Sequence, residues 1–183
     1  MDDIKIVNVV GVGLLDEEFD LNSLAASLPE NVRYEPEMHP GLYLRIEDHR
    51  PLMIIYGTGK FIITGAKSED EVYHTRDEGT RILSEVTSQP LDLKNFELCN
   101  YVLSGDLDTE LDLSTITIGL GLERTEYNPE SISAVLYTPE QANCTVMIFR
   151  SGKVNIVGES SRERSEQAFH ELKNKIRTLL AEE

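Results

Sequence analysis

The sequence predicts an α+β fold built from two copies of one β-α-β-β-β-β-α unit, and three observations predict it. A hairpin pattern, Tyr56-Gly-Thr-Gly-Lys-Phe-Ile-Ile-Thr-Gly-Ala-Lys67, returns in diverged form as Phe149-Arg-Ser-Gly-Lys-Val-Asn-Ile-Val-Gly-Glu-Ser160. Matched positions keep a near-constant spacing: 92 residues separate Asn8 from Asn100 and Ser68 from Ser160, and 93 separate Lys60 from Lys153. A helix start follows each hairpin, Ser68 with Glu71 and Ser160 with Glu163, both at capping-box spacing. A period this long is far beyond solenoid repeats, so each copy is a subdomain and the pair has pseudo-twofold symmetry. The linker Gln89-Pro90-Leu91-Asp92 divides the chain of 183 residues into copies spanning 1–91 and 92–183.

In the first copy, Ile4 to Val12 alternates as a strand, with Asn8, Val10 and Val12 on one face and Val7 and Val9 on the other. Asp20 to Leu28 sets Leu21, Leu24 and Leu28 at helical spacing before a stop at Pro29. Asn31 to Glu35 opens a strand interrupted at Pro36; Pro40-Gly41 turns into the strand Leu42 to Ile46, and His49-Arg50-Pro51 turns into the hairpin. There the apolar run Leu52 to Ile55 ends in Tyr56, Thr58-Gly59 reverses the chain, and Lys60 opens a second alternating run that ends at Gly65. A long helix from Glu69 to about Val86 follows, with Val72, Ile82, Leu83 and Val86 as its apolar face; Gly79 weakens it by roughly 1 kcal/mol relative to alanine.

The second copy repeats the order. It has a strand from Phe96 to Leu103, a helix from Asp112 to Leu120, and strands Thr125 to Tyr127 and Ile132 to Tyr137. The Phe149 hairpin follows, then a closing helix with Ala168, Phe169, Leu172, Ile176, Leu179 and Leu180 on one side. In each copy two helices cover one face of an antiparallel sheet. Period two buries Phe61 and Ile63 beneath them and leaves Lys60, Ile62 and Thr64 on an uncovered, partly apolar face, which marks a binding surface.

The net charge of -16 and pI of about 4.6 argue, on electrostatics alone, against a nucleic-acid partner, and they suit an acidic surface kept hydrated in a saline cytoplasm. Cys99 and Cys144 each fall inside a predicted strand, as buried free thiols of a reducing compartment. No apolar run approaches membrane-spanning length and Met1-Asp-Asp-Ile lacks a signal peptide's basic start, so a soluble cytoplasmic protein is expected. His39, His49, His74 and His170 have no ligand spacing with the cysteines, and no metal or cofactor is expected. Gly57-Thr-Gly-Lys60 is not a phosphate loop, because Ile54 stands where its first glycine belongs and Phe61 follows the lysine. No nucleophile and base pair stands out, so an enzyme is not expected.

The chain resembles the TATA-box-binding proteins of archaea over nearly its whole length. The resemblance rests on Asn8-Val-Val, Phe19-Asp-Leu, Tyr34-Glu-Pro-Glu-Met-His-Pro-Gly-Leu42, Gly59-Lys60 and Thr64-Gly-Ala-Lys67 in copy one. In copy two it rests on Asn100-Tyr-Val, Leu111-Asp-Leu, Gly119-Leu-Gly-Leu-Glu123, Glu126-Tyr-Asn-Pro129 and Phe149-Arg-Ser-Gly-Lys153. Each motif alone is weak, whereas two ordered sets at one offset are specific. The acidic composition resembles members from salt-loving archaea.

The resemblance implies a saddle whose continuous curved antiparallel sheet carries its helices on the convex face and lies on the DNA minor groove with its concave face, kinking the duplex with aromatic wedges. It implies a general transcription factor that binds AT-rich promoter DNA and recruits transcription factor B and RNA polymerase, as a monomer or weak dimer. The family's four wedge positions, usually phenylalanines, correspond here to His39, Tyr56, Ile132 and Phe149. Asn8 and Asn100 would donate to adenine N3 and thymine O2. Copy one keeps the groove- and phosphate-facing set Val10, Arg45, Ile54, Lys60, Ile62, Thr64 and Lys67. Copy two keeps Val102, Met147 and Lys153, but Thr138 stands for Arg45, Asn155 for Ile62, Val157 for Thr64 and Ser160 for Lys67. Two cations are lost and an amide enters the apolar floor, so the second half of the interface is expected to be the weaker. A diverged paralogue with weakened DNA binding, acting as a protein-interaction module or specialised regulator, is the alternative reading. The family's acidic stirrup, which binds transcription factor B from the second copy, matches the first here, at Glu35, Glu37 and Met38; copy two offers Glu126 and Glu130, and the contact has either moved or weakened.

Overall fold

The computed structural model describes residues 4–28, 32–46 and 51–181. The expected stop at Pro29 and the His49-Arg50 part of the turn lie outside the described residues. Backbone contacts divide the chain into two compact units: Asn8–Cys99, and the residues through Val7 together with those from Asn100 on.

One element order occurs twice along the chain. The first has β1 (Ile4–Leu15), α1 (Leu21–Ser27), β2 (Val32–Arg33), β3 (Leu42–Arg45), β4 (Leu52–Ile55), β5 (Lys60–Ala66) and α2 (Glu69–Thr87). Its strands pair antiparallel in the order β2-β3-β4-β5-β1. The second has β6 (Leu93–Asp106), α3 (Leu113–Leu120), β7 (Thr125–Glu126), β8 (Ala134–Tyr137), β9 (Thr145–Phe149), β10 (Lys153–Glu159) and α4 (Arg162–Ala181), with strand order β6-β10-β9-β8-β7. This is the expected α+β class, and no described helix is long and apolar enough to cross a membrane.

Alternation along the strands sets the core. Leu42, Leu44, Met53, Ile55, Phe61 and Ile63 are buried on the same side of the first sheet as Leu24 of α1 and Val72 and Leu83 of α2. Each such burial contributes about 1.5–3 kcal/mol. Gly13 leaves room for an aromatic: a Cβ there would stand 2.2 Å from the Phe61 ring. Phe61 in turn stacks on Phe96 with ring centroids 6.0 Å apart. Gly79 of α2 is likewise a contact point, since a Cβ there would lie 2.3 Å from Met53 Sδ. The helix gives up propensity at Gly79 to let Met53 approach.

The hairpin turns hold as expected. Gly59 and Gly152, each at φ 83°, donate to the carbonyls of Tyr56 and Phe149 at 3.0 Å. Other boundaries need correction. β1 runs on to Leu15, β6 extends beyond both expected ends, and β2 is only Val32–Arg33. Ile132 is not in β8; it closes a turn in which its N–H and that of Ser131 donate to Asn128 O at 3.0 and 3.1 Å. The helix α4 is capped by Ser161, not Ser160: Arg164 N–H donates to Ser161 Oγ at 3.4 Å, which restores the 93-residue spacing of the hairpin. Ser68 caps α2 as expected, accepting from Glu71 N–H at 3.2 Å, while the Glu71 carboxylate turns back to Lys67 N–H at 2.8 Å. Leu180, expected beneath α4, is exposed, and Lys173 is buried with its ammonium 5.7 Å from the Phe169 ring centroid. Of the cysteines, Cys144 is buried but precedes β9 by one residue, and Cys99 is only half-buried in β6; both thiols are free.

Candidate nucleic-acid interface

On the face of the first unit away from its helices, strand register sets side chains in rows. Tyr43, Ile54, Ile62 and Val12 lie abreast across β3, β4, β5 and β1, and Arg45, Leu52 and Thr64 form the next row. All but the exposed Arg45 are half-buried, which is the burial of a sheet face with no layer over it. Strands β3, β4 and β5 contain no carboxylate. Lys60 and Lys67 are exposed at the two ends of β5, and no carboxylate among the described residues pairs with either. Val10 is half-buried on the same strand as Asn8, and its carbonyl accepts from the Cys99 thiol at 3.5 Å.

Asn8 is oriented by the sheet itself. Its Oδ1 accepts from Gly65 N–H at 2.7 Å, where Gly65 takes φ 86° beside an irregularity in the β1–β5 register, and its Nδ2 is 3.5 Å from Thr64 Oγ1. The oxygen thus turns to Gly65 and one amide hydrogen to Thr64, which leaves a second N–H able to donate outward. Asn100 repeats the device in the second unit, its Oδ1 accepting from Gly158 N–H at 3.1 Å. The local hydrogen bond therefore fixes the orientation of each asparagine.

His39 and Tyr56, two of the wedge positions, come together with ring centroids 5.9 Å apart, and His39 also lies 5.2 Å from Tyr43. Gly41 N–H lies 3.0 Å from His39 Nδ1, which ties the ring to the turn before β3. Beside this cluster a cleft of about 680 Å³ is lined by Val32, Arg33, Met38, His39, Tyr43 and Leu52. Met38 stands 80% exposed at the loop tip next to the exposed Glu37. Glu35 is engaged: Arg33 forks onto both its oxygens at 2.9 Å, and that hydrogen bonding holds the Glu35 carboxyl below the usual range and raises the Arg33 guanidinium.

The second unit keeps the scaffold and changes the surface. Its matching row is Leu136, Met147, Asn155 and Ser104, with Thr145 and Val157 beside it. Val102 is half-buried on β6, Thr138 is exposed, and Ser160, in place of a lysine, is exposed past the end of β10. Lys153 is exposed and faces Asp106 in register, where Lys60 faces Leu14. Phe149, the last residue of β9, and Ile132, in the turn before β8, are each half-buried. Glu126 on β7 and Glu130 in the turn are exposed, and Glu130 N–H donates to Asn128 Oδ1 at 3.1 Å.

Tyr43, Leu52, Leu136, Ser104 and Thr145 belong to these rows and were not singled out from the sequence; continuing the period-two reading one strand outward and one inward finds them. Chemically, each unit presents an uncovered row with one oriented asparagine, apolar and with a cationic margin in the first unit. No group of three or more His, Cys, Asp or Glu among the described residues could hold a metal ion.

Comparison with known proteins gives this arrangement its family. The model of transcription factor TFIID (or TATA-binding protein, TBP) matches residues 3–86 and again 95–179. TATA-box-binding protein C of Halobacterium salinarum is 35% identical over 179 residues, covering 97% of this chain and 99% of that protein. The TATA-box-binding protein of Archaeoglobus fulgidus is 33% identical over 176 residues, 96% of each. The solved structure of Methanococcus jannaschii TBP superposes with a TM-score of 0.78 at 34% identity, covering 96% of this chain and 99% of that one. Two family-model matches along one chain, on an element order that occurs twice, leave a single conclusion: the chain belongs to the TATA-binding protein family.

Proposed function

We propose that this chain binds AT-rich promoter DNA through the minor groove, bends it, and on that complex recruits transcription factor B and RNA polymerase, acting in the archaeal cytoplasm as a monomer or weak dimer. A member of this family is a DNA-binding transcription factor and not an enzyme. The observation that carries the reading is the uncovered apolar strip of Tyr43, Ile54, Ile62 and Val12, flanked by Asn8 with its oxygen tied back and by Arg45, Lys60 and Lys67. A strip of this kind fits the floor of the minor groove, whose A·T pairs offer acceptors to amide donors and no donor of their own. The repeats 1–91 and 92–183 would each serve one half of the site, with His39 and Tyr56, and Ile132 and Phe149, at the kinks. Glu37 and Met38, at the exposed loop tip of the first unit, and Glu126 and Glu130 in the second are the positions for protein partners.

The test is fluorescence-detected binding and bending of an end-labelled TATA-containing duplex against a scrambled GC-rich one, from low to molar potassium chloride. Selective binding with a large bend is expected, and Tyr56→Ala or Phe149→Ala should reduce the bend far more than it lowers the melting temperature. One observation favours the second reading, a paralogue turned to protein partners: in the second unit Lys153 faces Asp106, and Thr138 and Ser160 replace cations. Folded protein that binds neither duplex at any salt would establish that reading instead.

A further inference from the structure

In the second unit the apolar row is broken at two adjacent positions. Where the first unit sets Ile62 beside Val12, the second sets Asn155 beside Ser104, direct partners in the β10–β6 register. Val154 and Ile156 on either side of Asn155 are fully buried, so the amide lies on the opposite, uncovered face, flanked on its other side by Met147. Neither the Asn155 amide nor the Ser104 hydroxyl has a hydrogen-bond partner among the described residues. This separates Asn155 from Asn8 and Asn100, whose Oδ1 atoms are held by Gly65 and Gly158 N–H. Those two amides are turned by the bonds their oxygens accept, whereas both ends of the Asn155 amide, donor and acceptor, are unengaged among the described residues.

We infer that Asn155, with Ser104, recognises the 2-amino group of a guanine in the minor groove, so that the half-site under the second unit contains a G·C pair. The inference rests on the minor-groove reading proposed above. An A·T pair shows acceptors alone on its minor-groove edge, and against it Asn155 Oδ1 would be desolvated with nothing to accept from. A G·C pair shows both kinds of group: guanine N2–H donates to Oδ1, and Nδ2–H donates to guanine N3 or cytosine O2. Both ends of the amide are then satisfied. An isoleucine, as at Ile62, leaves the guanine amine without an acceptor, which is why the first unit excludes the pair that the second accepts.

The experiment starts from the bound A·T-rich duplex and replaces its base pairs one at a time with G·C and, in parallel, with inosine·cytosine, which lacks only the 2-amino group. Competition binding should show G·C about 5- to 10-fold tighter than inosine·cytosine at one position or two adjacent positions of one half-site, the size of one well-made hydrogen bond. Asn155→Ile should cancel that preference, and Ser104→Val should diminish it. Inosine·cytosine bound as well as or better than G·C at every position, by protein that binds and bends the parent duplex, overturns the inference and leaves the minor-groove reading intact. Failure to bind any duplex removes both.

Discussion

Glu159 is a carboxyl group in a place where the first unit uses a methyl. It closes β10 at 2% exposure, and the matching residue of β5 is Ala66 at 0%. One oxygen accepts from Ser160 N–H at 3.0 Å, while Oε2 is buried without a partner. Leaving a buried polar atom unpaired costs about 1–3 kcal/mol. Glu159→Met keeps the length of the side chain and removes both oxygens; the Ser160 N–H it releases lies on an exposed residue and can turn to water. The variant should therefore be more stable by about 1–3 kcal/mol, a large share of the 5–15 kcal/mol typical of a domain. Glu159→Gln retains the acceptor for Ser160 but buries an unpaired NH2, so its gain should be the smaller. Urea unfolding at one fixed salt concentration measures both, provided the slope against urea is unchanged. A Glu159→Met protein that unfolds at lower urea than the wild type would show that Oε2 is stabilised where it lies and would refute the reasoning.

Gly59→Ala puts a Cβ 2.3 Å from Glu17 O at φ 83°, so it should destabilise by about 2 kcal/mol or more, read by thermal or urea melts; a neutral result would mean the turn can move off β1. Burial pushes the Cys144 thiol up to about 11, so it should react slowly with a thiol reagent at pH 8 in the native protein and fast in urea. The same shift sets a sign: the folded thiol keeps a proton that the unfolded one loses from about pH 9, so the stability it contributes is intact below pH 9 and is lost as pH rises towards 11, and Cys144→Ala should flatten that limb. For DNA binding, Arg45, Lys60, Lys67 and Lys153 as phosphate contacts give a log–log salt slope of about -3.6, and Lys60→Ala should reduce it by about 0.9. A slope beyond about -6 would show that cations outside this face carry the binding.

The hairpins and the four helices were legible because their signals are local. Turn glycines need φ near 83°, period two needs only neighbours, and Ser68, Asp20 and Asp112 cap the next turn of their own chain. The same alternation put Lys60, Ile62 and Thr64 opposite the buried Phe61 and Ile63. What escaped depends on distant partners. Gly79 reads as a weak helix position until Met53 is seen against it, and the row that joins Ile62 to Tyr43 and Val12 needs a register that no single strand encodes. The expected strand Ile132 to Tyr137 starts two residues too early, because the hydrogen bonds to Asn128 O hold Ile132 in a turn. Ser160 with Glu163 has the capping-box spacing, but the cap of α4 is Ser161, whose Oγ accepts from Arg164 N–H.

Composition misleads about the partner because it averages over surfaces that do different work. The charge of -16 argues against nucleic acid only if the acids are spread evenly. They are not: α2 carries Glu69, Asp70, Glu71, Asp77, Glu78 and Glu85, whereas β3, β4, β8 and β9 hold no acid, β5 holds none, and the one acid of β10, Glu159, is buried. Helices α1 and α3 hold no acid and α4 has three against five cations, while β6 keeps Glu97 and Asp106 and β7 Glu126; the negative charge otherwise sits in loops and turns and on α2, which lies on the side of the first sheet away from the candidate interface. In concentrated salt the screening length falls to about 3 Å at 1 M, so those carboxylates do not reach through a sheet to a polyanion on the other face. The attraction of exposed lysines is cut down by the same screening, and on the proposed reading what remains is the part salt does not weaken: apolar rows against the groove floor and amide hydrogen bonds to base edges. A protein that has to hold DNA under those conditions gains little from added cations. On the proposed reading it gains from shape and from the amides of Asn8 and Asn100, whose orientation is set by the sheet and not by the ionic strength.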